Sequence, residues 1–199
     1  IPGALVSLMV CRFLGYGAQS AAVVVACGTL GIGFGGNMTY GQTLGLLREN
    51  ETLTWGLTGT TLKGSVWGLL GGAVLGLGFA ARHIAWRHLV LGFACLLVGV
   101  IVGIYFVDQP RLIYFSDPIN KPRDESWAGF LLGALALLAY LRIFEPRFAG
   151  VPLRFAVYAA IGGGIGFGGG SLFLALQFRL TETWNWMPRK SSGPSGNRM

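Results

Sequence analysis

The chain has 199 residues, of which 53% are hydrophobic and 12% are charged, and its formal net charge is +7. A soluble domain has about one quarter charged residues, so this composition excludes a soluble enzyme or binding module and predicts an integral membrane protein, placed in the cell (inner) membrane. The positive charge predicts contacts with anionic lipid headgroups. Nucleic acid is not expected as a partner, because no basic stretch is interleaved with aromatic residues.

Uncharged runs long enough to cross a bilayer occur about five times. A helical span takes roughly 17–25 apolar residues, and the runs in chain order are residues 22–46, 64–81, 89–107, 127–141 and 155–178. They predict an all-α, polytopic membrane protein with one transmembrane domain, residues 1–186. Residues 187–199 form a polar tail whose composition predicts disorder. Because the chain begins without methionine, we expect it to be a piece of a longer protein.

The hexapeptide GIGFGG occurs twice, at residues 31–36 and 164–169, and each copy is followed by the signature Arg-x-x-Glu-Thr-x-x-Trp. Two linked matches at a similar offset predict an internal duplication of segments 22–55 and 155–186. The copies lie in the first and fifth runs, so the repeat is predicted to be parallel. A span count that is wrong by one would make it inverted.

The glycines of the hexapeptides have two interpretations. Close packing of helices through GxxxG pairs is the first, and a glycine-broken helix whose backbone lines a site in the membrane is the second. The glycines concerned are Gly31, Gly33, Gly35, Gly36, Gly164, Gly166, Gly168 and Gly169. A separate series recurs at every fourth residue in the second run and predicts a ridge for helix packing, formed by Gly64, Gly68, Gly72 and Gly76.

The segment after the first hexapeptide is polar, whereas the aligned segment of the second copy is apolar. Polar side chains inside a span are functional candidates by default, so we predict a substrate-binding role for Asn37, Thr39, Tyr40, Gln42 and Thr43. Two alternatives stay open: the segment has left the hydrocarbon, or these groups bond to neighbouring helices.

The other polar residues predict no catalytic, metal or cofactor site. Lys63 borders the second run and is predicted to lie at the interface. Charges in the loop at residues 108–126, among them Asp117, Asp124 and Glu125, are predicted to be solvated. Surface positions are expected for His83 and His88, and packing as small hydrophobic residues for Cys11, Cys27 and Cys95. The loop at residues 82–88 is short and basic without an acid, which predicts that its side is cytoplasmic.

Three functions remain open. The first is a transporter or channel-like protein, or half of one, with its site near the hexapeptide glycines. The second is a non-transporting membrane scaffold or assembly subunit, in which the same glycines only pack helices and the proline-rich loop at residues 108–126 docks a partner. The expected partners are the lipid bilayer and further copies of the chain or other membrane subunits. The third, a polytopic membrane enzyme, needs clustered catalytic groups that the sequence does not assemble.

Overall fold

The computed structural model describes residues 2–36, 38, 40–116 and 124–184, except for the side chains of Gln42 and of residues 181–184. All regular elements in these ranges are helical. The seven α-helices are α1 (Pro2–Phe13), α2 (Ala18–Gly35), α3 (Gly41–Gly45), α4 (Leu53–Ala80), α5 (Trp86–Gly103), α6 (Trp127–Phe144) and α7 (Gly150–Trp184). The predicted tail lies outside the described residues.

Short irregular segments set the helix ends. Gly15 has a φ of +71° in the turn between α1 and α2, a conformation that glycine adopts without a steric penalty. A 3-10 turn, Ala81–His83, follows α4, and extended backbone at Ala85 starts α5. At its far end α5 widens into a π-helical turn, Ile104–Asp108. Such turns are frequent at functional sites, and this one carries Asp108 towards the start of α6.

The central element is α4, which contacts α2, α6 and α7. Its buried residues include Leu70, Ala73, Val74 and Leu77, which are all 0% exposed and belong to the main hydrophobic core. The neighbouring α5 and α6 pair with each other, and α1 packs on α2. In the described part of the chain, the helices therefore pack around α4.

The helices on either side of α4 run in the same direction. Gly31 of α2 meets Gly71, and residues nearer the start of α2 meet Gly78, so α2 is antiparallel to α4. The contacts of Gly64 with Gly163 and of Gly76 with Pro152 make α7 antiparallel to α4 as well. Consequently α2 and α7, which carry the two hexapeptides, are parallel to each other. The duplication itself stays a prediction.

Five helical stretches are long and apolar enough to cross a membrane: Ala18–Gly35, Leu53–His83, Trp86–Asp108, Trp127–Phe144 and Gly150–Leu180. The predicted all-helical class and the predicted count of about five are confirmed for the described residues, and these helices are compatible with an integral membrane protein. The first stretch ends earlier than predicted. Its helix stops at Gly35, and a separate short helix, α3, packs on α4.

Candidate functional site

A buried ion pair links α4 to the start of α6. The ammonium Nζ of Lys63 lies 3.0 Å from Oε1 of Glu125, and each side chain is 1% exposed. The prediction that Glu125 is a solvated loop charge is therefore wrong, and Lys63, predicted at the membrane interface, is buried within the protein. An isolated buried charge is costly in a low-dielectric interior, and pairing with hydrogen bonds offsets that cost. Together the two residues define what we call the charged centre.

Hydroxyl and amide groups complete the hydrogen bonding of the charged centre. Lys63 Nζ also donates to Oγ1 of Thr43, at 2.9 Å. The hydroxyl of Ser116 donates to Oε1 of Glu125 at 2.6 Å, and the Phe115 N–H donates to Oε1 at 3.1 Å and to Oε2 at 3.3 Å. Three chain segments thus meet here: α3, α4, and the connection from α5 to α6.

Aromatic rings cover the charged centre. The ring of Phe115 lies 5.9 Å from Lys63 Nζ, stacks on Trp55 at 4.9 Å and meets Trp127 edge-on at 5.8 Å. It packs directly on Gly59 of α4, where a Cβ would overlap the ring. The indole N–H of Trp55 donates to the carbonyl oxygen of Tyr114 at 3.0 Å. These contacts hold the segment that carries Phe115 and Ser116 against α4.

One buried donor beside the charged centre lacks a protein partner. Trp127, which is 5% exposed, has an indole Nε1 with no hydrogen-bond partner among the described residues. A buried unpaired N–H costs about 1–3 kcal/mol, so such groups normally meet a water molecule or a ligand. Trp127 therefore brings an unsatisfied donor into the group of rings that covers the charged centre.

A second buried carboxylate caps α6. Asp108, 4% exposed, accepts hydrogen bonds from the N–H groups of Ala128 at 3.2 Å and Gly129 at 2.9 Å. The first amides of a helix have no partner within it, and a carboxylate there also interacts favourably with the helix dipole. Because Ala128 and Gly129 closely follow Glu125, Asp108 adds a second negative charge near the charged centre.

We expect Asp108→Ala to loosen the first turn of α6. Loss of an N-terminal cap costs about 1–2 kcal/mol, and the amides of Ala128 and Gly129 should exchange hydrogen with solvent faster. Site-resolved hydrogen exchange measures this, with the exposed Glu49→Ala as control. Unchanged exchange at both amides in Asp108→Ala would contradict the capping role.

The predicted substrate-binding residues divide into three groups. Thr43 is 0% exposed and belongs to the charged centre. Tyr40 lies elsewhere, with its ring 4.8 Å from Phe167 of α7 and 6.2 Å from Trp67 of α4; burial raises the pKa of its hydroxyl. Asn37, Thr39 and the side chain of Gln42 lie outside the described residues. Of this group the structure places only Thr43 in the charged centre.

The hexapeptide glycines face in different directions. Gly31 and Gly35 lie against Gly71 and Trp67 of α4, and Gly164 and Gly168 lie against Ser65 and Thr61 of the same helix. Among the described atoms, a Cβ at Gly33, Gly166 or Gly169 would meet nothing within 4 Å, and one at Gly36 would meet only the carbonyl oxygen of Gly33. The former glycines allow close approach of helices, whereas the latter do not pack closely on any described part of another helix.

The ridge on α4 lies directly beneath α7. A Cβ at Gly64, Gly68, Gly72 or Gly76 would overlap atoms of Gly163, Ala159, Phe155 or Pro152, respectively. The approach is so close that only glycine fits on the α4 side. The ridge is thereby filled by α7 of the same chain, which leaves it no room for a helix of another subunit.

The remaining polar residues form no catalytic constellation in the described ranges. His88 is partly buried, with Nδ1 2.8 Å from the Tyr140 hydroxyl and Nε2 3.7 Å from Glu145, so the prediction of a surface position is wrong for it. His83 is exposed as predicted. Asp124 is exposed, and Asp117 lies outside the described residues. No group of three potential metal ligands occurs in the described parts of the chain.

The charged centre was missed at the sequence level because each of its members looks ordinary in isolation. Lys63 and Glu125 both border an apolar run, where charges are common. A usable signal was the glycine-rich run on both sides of Lys63, which extends α4 well beyond the predicted start of the span. Comparison of the chain with protein-family models, with curated proteins and with solved structures finds no match.

Proposed function

We propose that this chain is a multi-pass membrane protein of the transporter or channel-like class, or half of one, and that the charged centre is its functional site. The observation that carries this proposal is the Lys63–Glu125 pair, whose side chains are each 1% exposed and whose Lys63 lies within a helix long enough to span a membrane. Ionisable groups at such positions are rare and mark ion or substrate pathways in membrane proteins.

The geometry supports exchange of partners at the charged centre. A cation that reaches it competes with Lys63 for the Glu125 carboxylate, and an anionic group competes with Glu125 for the ammonium. Thr43 and Ser116 supply hydroxyls to either kind of solute, and the indole N–H of Trp127, which has no hydrogen-bond partner among the described residues, is a further candidate donor. Partner exchange keeps every buried charge paired, which keeps its cost low.

Such an exchange would couple binding to helix movement. Lys63 belongs to α4, whereas Glu125 belongs to the connection between α5 and α6, so the ion pair is a link between these two parts of the bundle. A solute that replaces one partner removes this link. By binding better to the unlinked arrangement, the solute shifts the population towards it, as alternating access requires.

Thiol labelling tests whether water reaches the charged centre. In proteoliposomes of a chain without Cys11, Cys27 and Cys95, we expect Thr43→Cys and Ser116→Cys to react with a membrane-impermeant reagent from one side. Ala73→Cys, in the dry core at 0% exposure, is the control and should not react. Gly166 is not an informative site because it faces away from the bundle.

Electrical recording of the same proteoliposomes tests transport directly. Imposed proton, sodium, potassium and chloride gradients should reveal a current that Glu125→Gln abolishes and the exposed Glu49→Gln leaves intact. No labelling of either cysteine from either side, together with no current, would overturn the proposal. The scaffold alternative would then be favoured, because the direct contact of the α4 ridge with α7 needs only a packing role.

A further inference from the structure

Two cavities join at the end of the bundle opposite the charged centre. One, of about 270 Å³, has a mostly apolar lining that also includes the side chains of Gln19, Ser20 and Arg82 at one end. The other, of about 480 Å³, lies between α2, α4 and α5 and is lined by apolar side chains such as Phe93 and Leu97. Both are lined by Val23, Ala81, Trp86 and Leu89, so they form one continuous groove with a polar end.

The polar end is cationic. The guanidinium of Arg82 lies 5.3 Å from the centre of the Tyr16 ring, and its Nε donates to His83 at 2.8 Å, which fixes its position beside the cavity. No acidic side chain is among the described residues that line either cavity, and residues 81–88 contain none. A guanidinium binds phosphate through two parallel hydrogen bonds.

The apolar part of the groove has the depth of one membrane leaflet. From Trp86 to Leu97, α5 rises about 16 Å, which is half of a hydrocarbon thickness of about 30 Å. Trp86 is 77% exposed at the polar end, as expected for an aromatic residue at the headgroup level. A larger cavity of about 730 Å³ between α5 and α6 has no charged side chain in its lining, so it lacks the means to select a headgroup.

We propose that this groove binds one anionic phospholipid, with the phosphate at Arg82, the glycerol and headgroup hydroxyls at Gln19 and Ser20, and an acyl chain along Ala26, Phe93 and Leu97. The excess of positive charge selects an anionic headgroup over a zwitterionic one. The leaflet is the one next to residues 82–88, whose basic character predicts the cytoplasmic side. The inference rests on the membrane placement in the proposed function and is independent of transport.

Native mass spectrometry of the full chain tests this site. After equilibration with equal amounts of phosphatidylglycerol and phosphatidylcholine, we expect one retained phosphatidylglycerol per chain. Arg82→Gln should reduce the preference for phosphatidylglycerol about fivefold, as expected for one cation near an anionic headgroup. Arg154→Gln, which removes an exposed cation outside both cavities, should leave the preference unchanged. Arg82→Lys should fall between the wild type and Arg82→Gln.

A second pair of variants tests the acyl-chain part. Ala26→Phe fills the groove and should reduce the retention of both lipids, whereas Ala22→Phe, one turn earlier on α2 and outside both linings, should not. Equal retention of the two lipids by the wild type, or an equal loss in Arg82→Gln and Arg154→Gln, would overturn the site. Since the readout is lipid mass and not flux, loss of the lipid site with an intact current leaves the proposed function in place.

Discussion

Lys63→Met is expected to destabilise the protein by about 3–5 kcal/mol, because it leaves the Glu125 carboxylate buried without its counter-charge. The hydrogen bonds from Ser116 and from the Phe115 amide remain, yet they do not neutralise the charge. Unfolding in detergent micelles, followed by helical circular dichroism, measures the change in the free energy of unfolding.

The double variant Lys63→Met with Glu125→Gln separates pairing from packing. Removing both charges should recover a large part of the loss, because a buried pair replaced by neutral groups is often nearly neutral for stability. The summed stability losses of Lys63→Met and Glu125→Gln should therefore exceed the stability loss of the double variant. Arg142→Met, an exposed cation on α6, is the control and should change stability by less than about 0.5 kcal/mol. A Lys63→Met loss no larger than this control would contradict the buried placement.

Gly68→Leu is expected to separate α7 from α4. The new Cβ would overlap the carbonyl oxygen of Ala159, and a helix backbone cannot yield as a flexible side chain can. Overpacking of this kind costs about 1–3 kcal/mol and occasionally more; we expect the upper end because α7 packs mainly on α4.

Disulfide cross-linking reports the separation. Gly164 lies against the Ser65 hydroxyl, so Ser65→Cys with Gly164→Cys should cross-link readily in the parent chain and poorly once Gly68→Leu is added. Gly162→Leu is the matched control, since among the described atoms none lies within 4 Å of its Cβ position. Equal loss of cross-linking in both leucine variants would show that α7 does not pack on the glycine ridge of α4.

The helical architecture was predictable because long apolar runs leave few alternatives. Backbone amides in an apolar phase must bond within their own segment, so length and composition suffice to place five helices. The end of the first span was harder to predict from the sequence. The residues after Gly35 are uncharged, so the sequence predicts that the helix continues through them. A helix that continued through Thr43 would not let the Thr43 hydroxyl accept the hydrogen bond from Lys63.

Local sequence patterns could not predict the charged centre. An uncharged run ends wherever a charge occurs, so the predicted second span begins after Lys63. Its partner Glu125 is 62 positions away, and no spacing rule relates the two. The cap of α6 by Asp108 depends on a π-helical turn that no sequence pattern predicts. Tertiary proximity, rather than residue type, makes these groups a site.

The 62-residue separation of the ion pair has a consequence for synthesis. At about 5–20 residues per second, a ribosome adds Lys63 roughly 3–12 s before it adds Glu125. During that interval the lysine of the central helix has not met its native carboxylate. In a membrane-spanning helix, a lysine near the centre costs about 2.5–3.5 kcal/mol of insertion free energy. We therefore expect pairing to offset this cost only after residue 125 has been added, so that the order of translation contributes to the assembly of the bundle.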